Sequence, residues 1–563
     1  MRRLFDSGPR GARLTELFYE RFFFNDLVSD PDDPQLAAAN VMAMLVFPGM
    51  LTLYWIPKYY VLLARAPESV RMAHGFGDRF FWVAFQMGVI GLITTLQWDR
   101  LFPDRRDYLI LGPQPVTVAE LFGAQARALV RFLGLFFLLV NGFAALFYPL
   151  AVIPWRAGVV EGLAFTLSHW LCLCASAAAT VGFVAGLQGL LTALLPARVY
   201  ARASVVFQSL LTTGFVIFVV TVPVLRGRLM ATGSTAAEMA RSSSWMLGLP
   251  PVWFAGLGEW GAGHGAAFAP LAAMAAAGLA LTLGLAVGVY LGTYRRFIVR
   301  SLEETATREG GSAALRRLRW ALLERWLPDR LELATYLFTL RTLLRSPRHR
   351  FHAGLFLAVG CAVAFAQIWT AWGRRGDWVE AARAQPYILL FLLLAGIRMA
   401  FAMPGDLAAT WAFRFHLQPD SRRYLRGVRK ALWAVGPLPL ALAATPVVAA
   451  CVSPADALWR LPVWLLASWL TVEAALLRLG KIPFACRYLA GRPHVIIPWT
   501  FCAVGMFVYG GAFASLEAWV AEFPWRLLLL APALWLAVRW VRAPASEIRF
   551  EESGELIQLL RLE

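Results

Sequence analysis

Long apolar runs alternate with short polar stretches along the whole chain. Many runs reach the roughly 20 residues that a helix needs to cross about 30 Å of hydrocarbon. The short alternating segments of a membrane-spanning β-barrel do not dominate. The pattern therefore predicts an all-α polytopic integral membrane protein with about twelve transmembrane helices. The predicted spans cover 39–64, 80–97, 129–153, 164–195, 203–225, 267–293, 351–372, 386–403, 431–451, 460–478, 495–516 and 524–540.

The composition agrees with this class of protein. The 563 residues are 59% hydrophobic and 16% charged, whereas soluble proteins carry roughly 25% charged residues. The formal charge of +18 invites a nucleic-acid partner. Basic residues at membrane interfaces, however, set topology and contact anionic lipid. The predicted partner of this charge is therefore the membrane and not nucleic acid.

The distribution of Lys and Arg predicts that both termini are cytoplasmic. With the N-terminus inside, the inner segments hold 36 basic residues and the outer segments hold 10. Arg65, Arg71 and Arg79 in a predicted outer loop, 65–79, are the exception. The N-terminal segment lacks an apolar core with a small-residue cleavage site, so we expect no cleavable signal peptide.

Two segments have the pattern of amphipathic helices lying at the membrane interface before a helix bundle. Each has an alternative interpretation as the polar-faced start of the next span. The first, 12–27, places Leu14, Leu17, Phe18 and Phe22 on one face, together with Arg21. The second, 333–345, has an apolar face of Leu333, Tyr336, Leu337, Leu340 and Leu344, with Thr335, Thr339, Thr342 and Arg345 elsewhere.

A polar, arginine-rich stretch divides the chain into two halves. The predicted organisation is a first six-helix half at 1–293, a basic cytoplasmic linker at 294–332, a second half at 333–541 and a cytoplasmic tail at 542–563. Glu309-Gly310-Gly311-Ser312 is the predicted flexible point of the linker.

The halves also repeat. Gln114-Pro115-Val116-Thr117 with Leu121 and Gly123 aligns with Gln418-Pro419-Asp420-Ser421 with Leu425 and Gly427, at a constant offset of 304. Both stretches follow the second predicted span of their half and lead into the third, on the predicted cytoplasmic side. The repeat predicts two pseudo-repeated six-helix halves.

Motifs for an energy source or a catalytic centre are missing from the sequence. It contains no phosphate-binding loop, no H-E-x-x-H helix and no G-x-S-x-G elbow. Cys172 and Cys174 lack a second pair at metal-site spacing. Asp30-Pro31-Asp32-Asp33 resembles a metal-binding acidic pair but fits the start of a helix better. We therefore predict no catalytic residue, no cofactor and no metal on this chain, which is expected not to be an enzyme.

Ionisable residues are rare within the predicted spans. Glu473 is the main one; His169 lies near an outer end, and Arg398 and Arg478 lie near inner ends. Two interpretations of Glu473 stay open: a helix-packing residue, or a residue of a substrate or proton pathway.

This layout resembles the membrane subunit of type-2 ABC transporters, the ABC-2 permease family. The resemblance rests on Pro115-Val116-Thr117 and on Pro419-Asp420-Ser421-Arg422-Arg423 in the two loops. It rests also on 249–254, Leu-Pro-Pro-Val-Trp-Phe, which looks like the short re-entrant element of that family. The second half departs from the family because its last outer loop, 517–523, is too short for such an element.

The resemblance implies that the two loops form coupling helices for separate ABC ATPase subunits, two in number, which bind the ATP and Mg. Proline breaks the helix that leaves the membrane, and charged residues give a surface for a protein partner. The alternative is that these arginines only anchor the loops in the cytosol. The implied docking residues are Asp104, Arg105, Arg106, Asp107, Gln114, Pro115, Thr117, Gln418, Pro419, Ser421, Arg422 and Arg423.

The resemblance thus implies a permease subunit of an ATP-driven exporter in a bacterial inner membrane. The alternative function is an integral-membrane transferase acting on lipid-linked substrates. A transferase predicts clustered carboxylates or histidines on one face, whereas the seven histidines are scattered along the sequence.

Overall fold

The computed structural model of the chain divides into two compact units, Met1–Arg308 and Glu309–Glu563. Helices are the regular elements of the part that it describes. The described residues are 9–23, 43, 45–101, 114, 116–153, 158–231, 238, 246–303, 323–371, 377–401, 403, 421–451, 454–477, 483–484, 496–529 and 532.

The first unit contains seven α-helices and one irregular helical segment within the described ranges. The helices are α1 (Pro9–Phe23), α2 (Glu68–Leu96), α3 (Val118–Val152), α4 (Val159–Leu194), α5 (Ala197–Met230), α6 (Pro250–Gly261) and α7 (Ala269–Glu303). Helix α2 packs on α5, α4 packs on α7, and the short α6 packs on α7, α4 and α2.

The second unit contains another seven helices in its described part. They are α8 (Arg330–Arg345), α9 (Pro347–Ala371), α10 (Asp377–Ala400), α11 (Ser421–Val435), α12 (Pro437–Cys451), α13 (Pro454–Leu476) and α14 (Ile496–Glu522). Helix α10 is central to this unit, because it packs on α9, α13 and α14.

Nine helices among the described residues are long and apolar enough to cross a membrane. They comprise α2 to α5, α7, α9, α10, the α11–α12 pair and α14. Of the other three predicted spans, 39–64 is irregular over 51–62, and 460–478 lies mostly in α13, which is not among the nine. The last, 524–540, lies mostly outside the described residues.

The segment predicted as the first span is broken into different helix types. A 3-10 turn at Leu51–Tyr54 passes into a short α-turn, Trp55–Pro57, and then into a π-turn, Lys58–Leu62. Pro57 accounts for the change, since proline has no N–H to donate and crowds the preceding turn. Within the π-turn, the side chains of Lys58 and Tyr59 are directed at Asp78.

The predicted outer loop 65–79 was wrong, because α2 already begins at Glu68. Pro67 is its N-cap, which is compatible with a helix start because the first N–H groups need no intrahelical partner. Ala73, Phe76 and Phe80 continue the helical spacing upstream and are buried. Asp78 and Arg79 therefore lie within a packed helix.

Helix α1 packs on α3, in agreement with an amphipathic helix. Leu14, Phe18 and Phe22 are buried against the first half of α3. Leu17, which was assigned to the same face, is 61% exposed. At 100° per residue, position 17 lies off the line of 14, 18 and 22, and packing excludes it.

Helix α8 packs on α11 through the predicted apolar face and also through two threonines assigned to the other side. Tyr336 is buried, and Leu333, Leu337 and Leu340 pack in the same cluster as Ala431 of α11. Thr335 and Thr339 are buried, whereas Leu344 is 54% exposed. The reason is Gly427 on α11, where an added Cβ would lie 1.9 Å from Thr335 Oγ1 and 2.5 Å from the Glu332 carbonyl oxygen. Without a side chain at this position, the two backbones approach closely and the threonines fill the contact.

The predicted linker is helical at its start. Helix α7 continues to Glu303, beyond the predicted end of the sixth span at 293. Residues 304–322, which include the predicted flexible point, and the tail 542–563 lie outside the described residues.

We predict that Gly427→Ala lowers the thermal unfolding midpoint of the purified chain. The methyl group must displace Thr335 or the α8 backbone, and such overpacking costs about 1–3 kcal/mol. Gly354→Ala is the control, because its Cβ would meet nothing within 4 Å. In an exposed helix that change stabilises by up to about 1 kcal/mol. Equal midpoints for the two variants would contradict the close approach of α8 and α11.

Candidate functional site

The first predicted docking loop is described only near its C-terminal end. Gln114 and Thr117 are exposed, and Asp104, Arg105, Arg106, Asp107 and Pro115 lie outside the described residues. Thr117 is the N-cap of α3: its Oγ1 accepts from the Glu120 N–H at 3.3 Å, and the Glu120 carboxylate accepts from the Thr117 N–H at 2.8 Å. This capping box satisfies two amide donors at the helix start.

The second predicted docking loop also ends at the start of a helix. Helix α11 begins at Ser421, while Gln418 and Pro419 lie outside the described residues, as does the side chain of Arg422. Arg423 is 48% exposed at its side chain and lies 3.9 Å from Asp329. Arg423 is therefore accessible to solvent near the start of α11.

The later basic residues of α11 are used inside the unit. Lys430 Nζ lies 2.6 Å from Glu332 Oε1 and 5.4 Å from the ring centre of Trp326. Arg429 pairs with Glu473 through Nε at 2.6 Å and Nη2 at 3.0 Å. These two ion pairs connect α11 to α8 and to α13. A displacement of the exposed start of α11 is therefore transmitted to both helices.

The pairing with Arg429 bears on the two interpretations of Glu473. Its side chain is only 6% exposed, and both carboxylate oxygens face the guanidinium. Burial of a carboxylate without such a partner costs free energy. The geometry is that of a packing residue, and a pathway role stays an open prediction.

Two adjacent charged residues on α2, Asp78 and Arg79, form the densest buried charge cluster of the described first unit. Asp78 lies 2.5 Å from Lys58 Nζ and 2.7 Å from Arg226 Nη2, and it accepts from the Tyr59 hydroxyl at 2.7 Å. One carboxylate thus joins the irregular segment, α2 and α5. Two cations share it, so this part of the cluster carries one excess positive charge.

Arg79 points to a different neighbour. Its side chain has no exposed surface, and Nη1 lies 2.9 Å from Glu259 Oε1 on α6. The guanidinium also lies over the ring of Phe165, 4.5 Å from its centre. The other oxygen of Glu259 lies 2.5 Å from His264 Nδ1. Gly258 leaves room for Arg79, since a Cβ there would lie 2.9 Å from Arg79 Cδ.

The second unit has a buried pair of its own. Arg460 on α13 lies 2.7 Å from Glu517 on α14, and the hydroxyl of Tyr387 on α10 donates to the same carboxylate at 2.7 Å. Three helices therefore converge on Glu517. Its side chain is 10% exposed, so this is a buried and not a surface ion pair.

Sequence reasoning missed these charges and predicted Glu473 as the main buried ionisable residue. Asp78 and Arg79 had been assigned to a loop, and Arg460 and Glu517 lie near the ends of predicted spans. The spacing of Ala73, Phe76, Phe80 and Ala84 was the signal that could have extended α2 upstream. Within the described residues, no three His, Cys, Asp or Glu side chains form a group that could hold a metal ion.

An apolar pocket of about 430 Å³ lies among α2, α4, α5, α6 and α7 in the first unit. Its volume is within the range of small-molecule sites. The segment that resembles a re-entrant element, 249–254, forms one wall and continues as the buried start of α6. The pocket is lined by Met87, Ala179, Thr180, Phe183, Leu210, Leu211, Gly214, Phe215, Phe218, Leu249, Pro250, Pro251, Trp253, Phe254, Gly278 and Thr282.

We predict that Arg79→Met destabilises the chain strongly, because it leaves the buried Glu259 without its cation. Breaking one side of a buried pair costs about 3–5 kcal/mol. Adding Glu259→Gln to the same variant removes the orphaned charge and recovers part of the loss. The measurement is the denaturant unfolding midpoint of all variants in one detergent.

Arg131→Met is the matched control for this experiment. Arg131 lies 3.5 Å from Glu16 with both side chains 58% exposed, and exposed pairs contribute about 0–1 kcal/mol. If Arg79→Met and Arg131→Met lowered the midpoint equally, the buried pair would not be a determinant of stability.

Comparison with known proteins finds no relative of this chain. No protein-family model matches the chain, and no curated protein or solved structure is significantly similar to it.

Proposed function

We propose that this chain is the permease subunit of an ATP-driven exporter of the ABC-2 type. In this proposal, separate ATPase subunits bind and hydrolyse ATP, and they dock at the loops 99–127 and 404–430. The membrane is a bacterial inner membrane, and both termini are on the ATPase side.

The observation that carries the proposal is a shared local arrangement in the two units. In each, a hydroxyl residue that follows a Gln-Pro pair stands at the start of a helix, Thr117 for α3 and Ser421 for α11. In each, the amphipathic helix that comes first in the described unit packs on that same helix, α1 on α3 and α8 on α11. A loop that is only a topology anchor needs neither feature.

The packing also supports a mechanical role for the loops. Force applied at Ser421 or Arg423 enters α11, which is tied to α8 through Lys430 and to α13 through Arg429. In the first unit, Leu121 near the start of α3 packs with Phe18 and Phe22 of α1. Motion of a docked ATPase would therefore move the amphipathic helix together with the spanning helix. Close-packed contacts of this kind transmit displacement because they deform little.

The proposal predicts a stoichiometric ATPase partner in native membranes. The tagged full chain is purified in mild detergent and in lipid nanodiscs, and co-purifying proteins are identified and counted by mass spectrometry. We expect a protein with a phosphate-binding loop at two copies per chain. A pure chain without an ATPase in both preparations, together with group transfer to a lipid-linked substrate in the absence of ATP, would favour the transferase instead.

A charge reversal tests the docking surface itself. We predict that Arg422→Glu combined with Arg423→Glu weakens ATPase binding about tenfold, or about 1.4 kcal/mol, while membrane insertion is unchanged. Arg65→Glu combined with Arg71→Glu is the control, since these two arginines lie on the opposite predicted side. Transport that persists in the Arg422 and Arg423 double variant would refute the docking assignment.

A further inference from the structure

The side-chain hydrogen-bond donors that line the apolar pocket of the first unit are already used within the protein. The Thr180 hydroxyl donates to the Ser176 carbonyl at 2.8 Å, and the Thr282 hydroxyl donates to the Gly278 carbonyl at 2.9 Å. The indole N–H of Trp253 donates to the Leu247 carbonyl at 2.5 Å. A ligand that needs hydrogen-bond donors would lose its water contacts here without replacement. The chemistry of the lining therefore selects a hydrocarbon.

The pocket lies between two spans that pack on other helices and only weakly on each other. Helix α4 packs mainly on α7, and α5 packs mainly on α2. Phe183 of α4 and Leu210 of α5 line the pocket and are 46% and 62% exposed. Gly214, also exposed, presents open space in the direction of its missing side chain. The pocket thus has a side opening between α4 and α5.

The surroundings of this opening determine which hydrocarbon can enter it. Both α4 and α5 contain candidate membrane spans, 159–194 and 206–230. An apolar side opening in such helices faces the acyl chains of the bilayer. An acyl chain can enter there without crossing water.

Helix α5 also places a cation where the head group of such a lipid would be. Arg228 is an exposed residue in the last turn of α5. It comes fourteen residues after Gly214, nearly four complete turns, so both lie on the same side of the helix. The axial separation is about 21 Å at 1.5 Å per residue, which matches the roughly 20 Å of one leaflet with its head groups.

We propose that the pocket binds one acyl chain of a bilayer phospholipid, which enters between α4 and α5 while its phosphate lies at Arg228. The site is independent of the ATPase partner, so it can exist whether or not the chain is a transport subunit. Its ligand class is a phospholipid, because an arginine at the head-group level attracts the phosphate.

The test uses the full chain in nanodiscs with two photoactivatable phosphatidylglycerols. One carries its diazirine at the end of an acyl chain, and the other carries it beside the glycerol. After irradiation, labelled peptides are mapped by mass spectrometry. We expect the chain-end probe to label pocket residues such as Met87 and Trp253, and the glycerol probe to label the end of α5 near Arg228.

Two variants locate the labelling. Gly214→Trp fills the opening, since its Cβ would meet nothing within 4 Å, and should abolish pocket labelling by the chain-end probe. Gly227→Trp is the matched control on the same helix, with equally open space and no place in the pocket lining, and should keep it. Pocket labelling that survives Gly214→Trp would overturn the proposal.

The wild-type chain also provides a test that needs no variant to fold. Labelling by both probes spread evenly over all exposed spans would overturn the proposal. Pocket residues labelled by the glycerol probe would overturn it as well, because the lipid would then lie the other way round. Crosslinks from the pocket mouth to a second copy of the chain, without lipid labelling, would show that another protein covers the opening.

Discussion

The buried ion pair between Arg79 and Glu259 constrains how the described helices of the first unit pack. A guanidinium keeps its charge when it is buried, so its burial costs free energy unless an anion lies beside it, and the anion of Arg79 lies on α6. The short helix is thereby fixed against α2, and its other end forms a wall of the apolar pocket. The neighbouring Asp78 forms ion pairs with Lys58 of the irregular segment and with Arg226 of α5. Two adjacent charges on one helix thus position four elements.

The same physical requirement recurs in the second unit. Glu517 forms an ion pair with Arg460 and accepts a hydrogen bond from Tyr387, and Glu473 forms an ion pair with Arg429. In hydrocarbon the association of helices gains little from burial of apolar surface alone, so polar contacts and close packing specify which helices meet. Gly427 supplies the close packing between α8 and α11, and the ion pairs supply much of the remaining specificity.

The sequence predicted the class of fold well and the buried charges poorly. Runs of apolar residues identify helices such as α3, α4 and α14, because their length is set by the bilayer. Thr117, which the resemblance implied as a docking residue, is the N-cap of α3. Asp78 and Arg79 were placed outside because a charge within a span is costly, and a single sequence does not reveal that Lys58, Arg226 and Glu259 lie beside them. The burial of Thr335 and Thr339 on α8 was missed for a similar reason, because Gly427, nearly a hundred residues away, lets α11 approach them closely.

Hydrogen exchange of the peptide 250–261 in nanodiscs measures most directly whether the buried charge fixes α6. A helix that is held by Arg79 and covered by its neighbours opens only with the rest of the unit. We expect its amides to exchange as slowly as those of α2 around residues 78–90. Complete exchange within seconds, as in an exposed outer loop, would contradict the account.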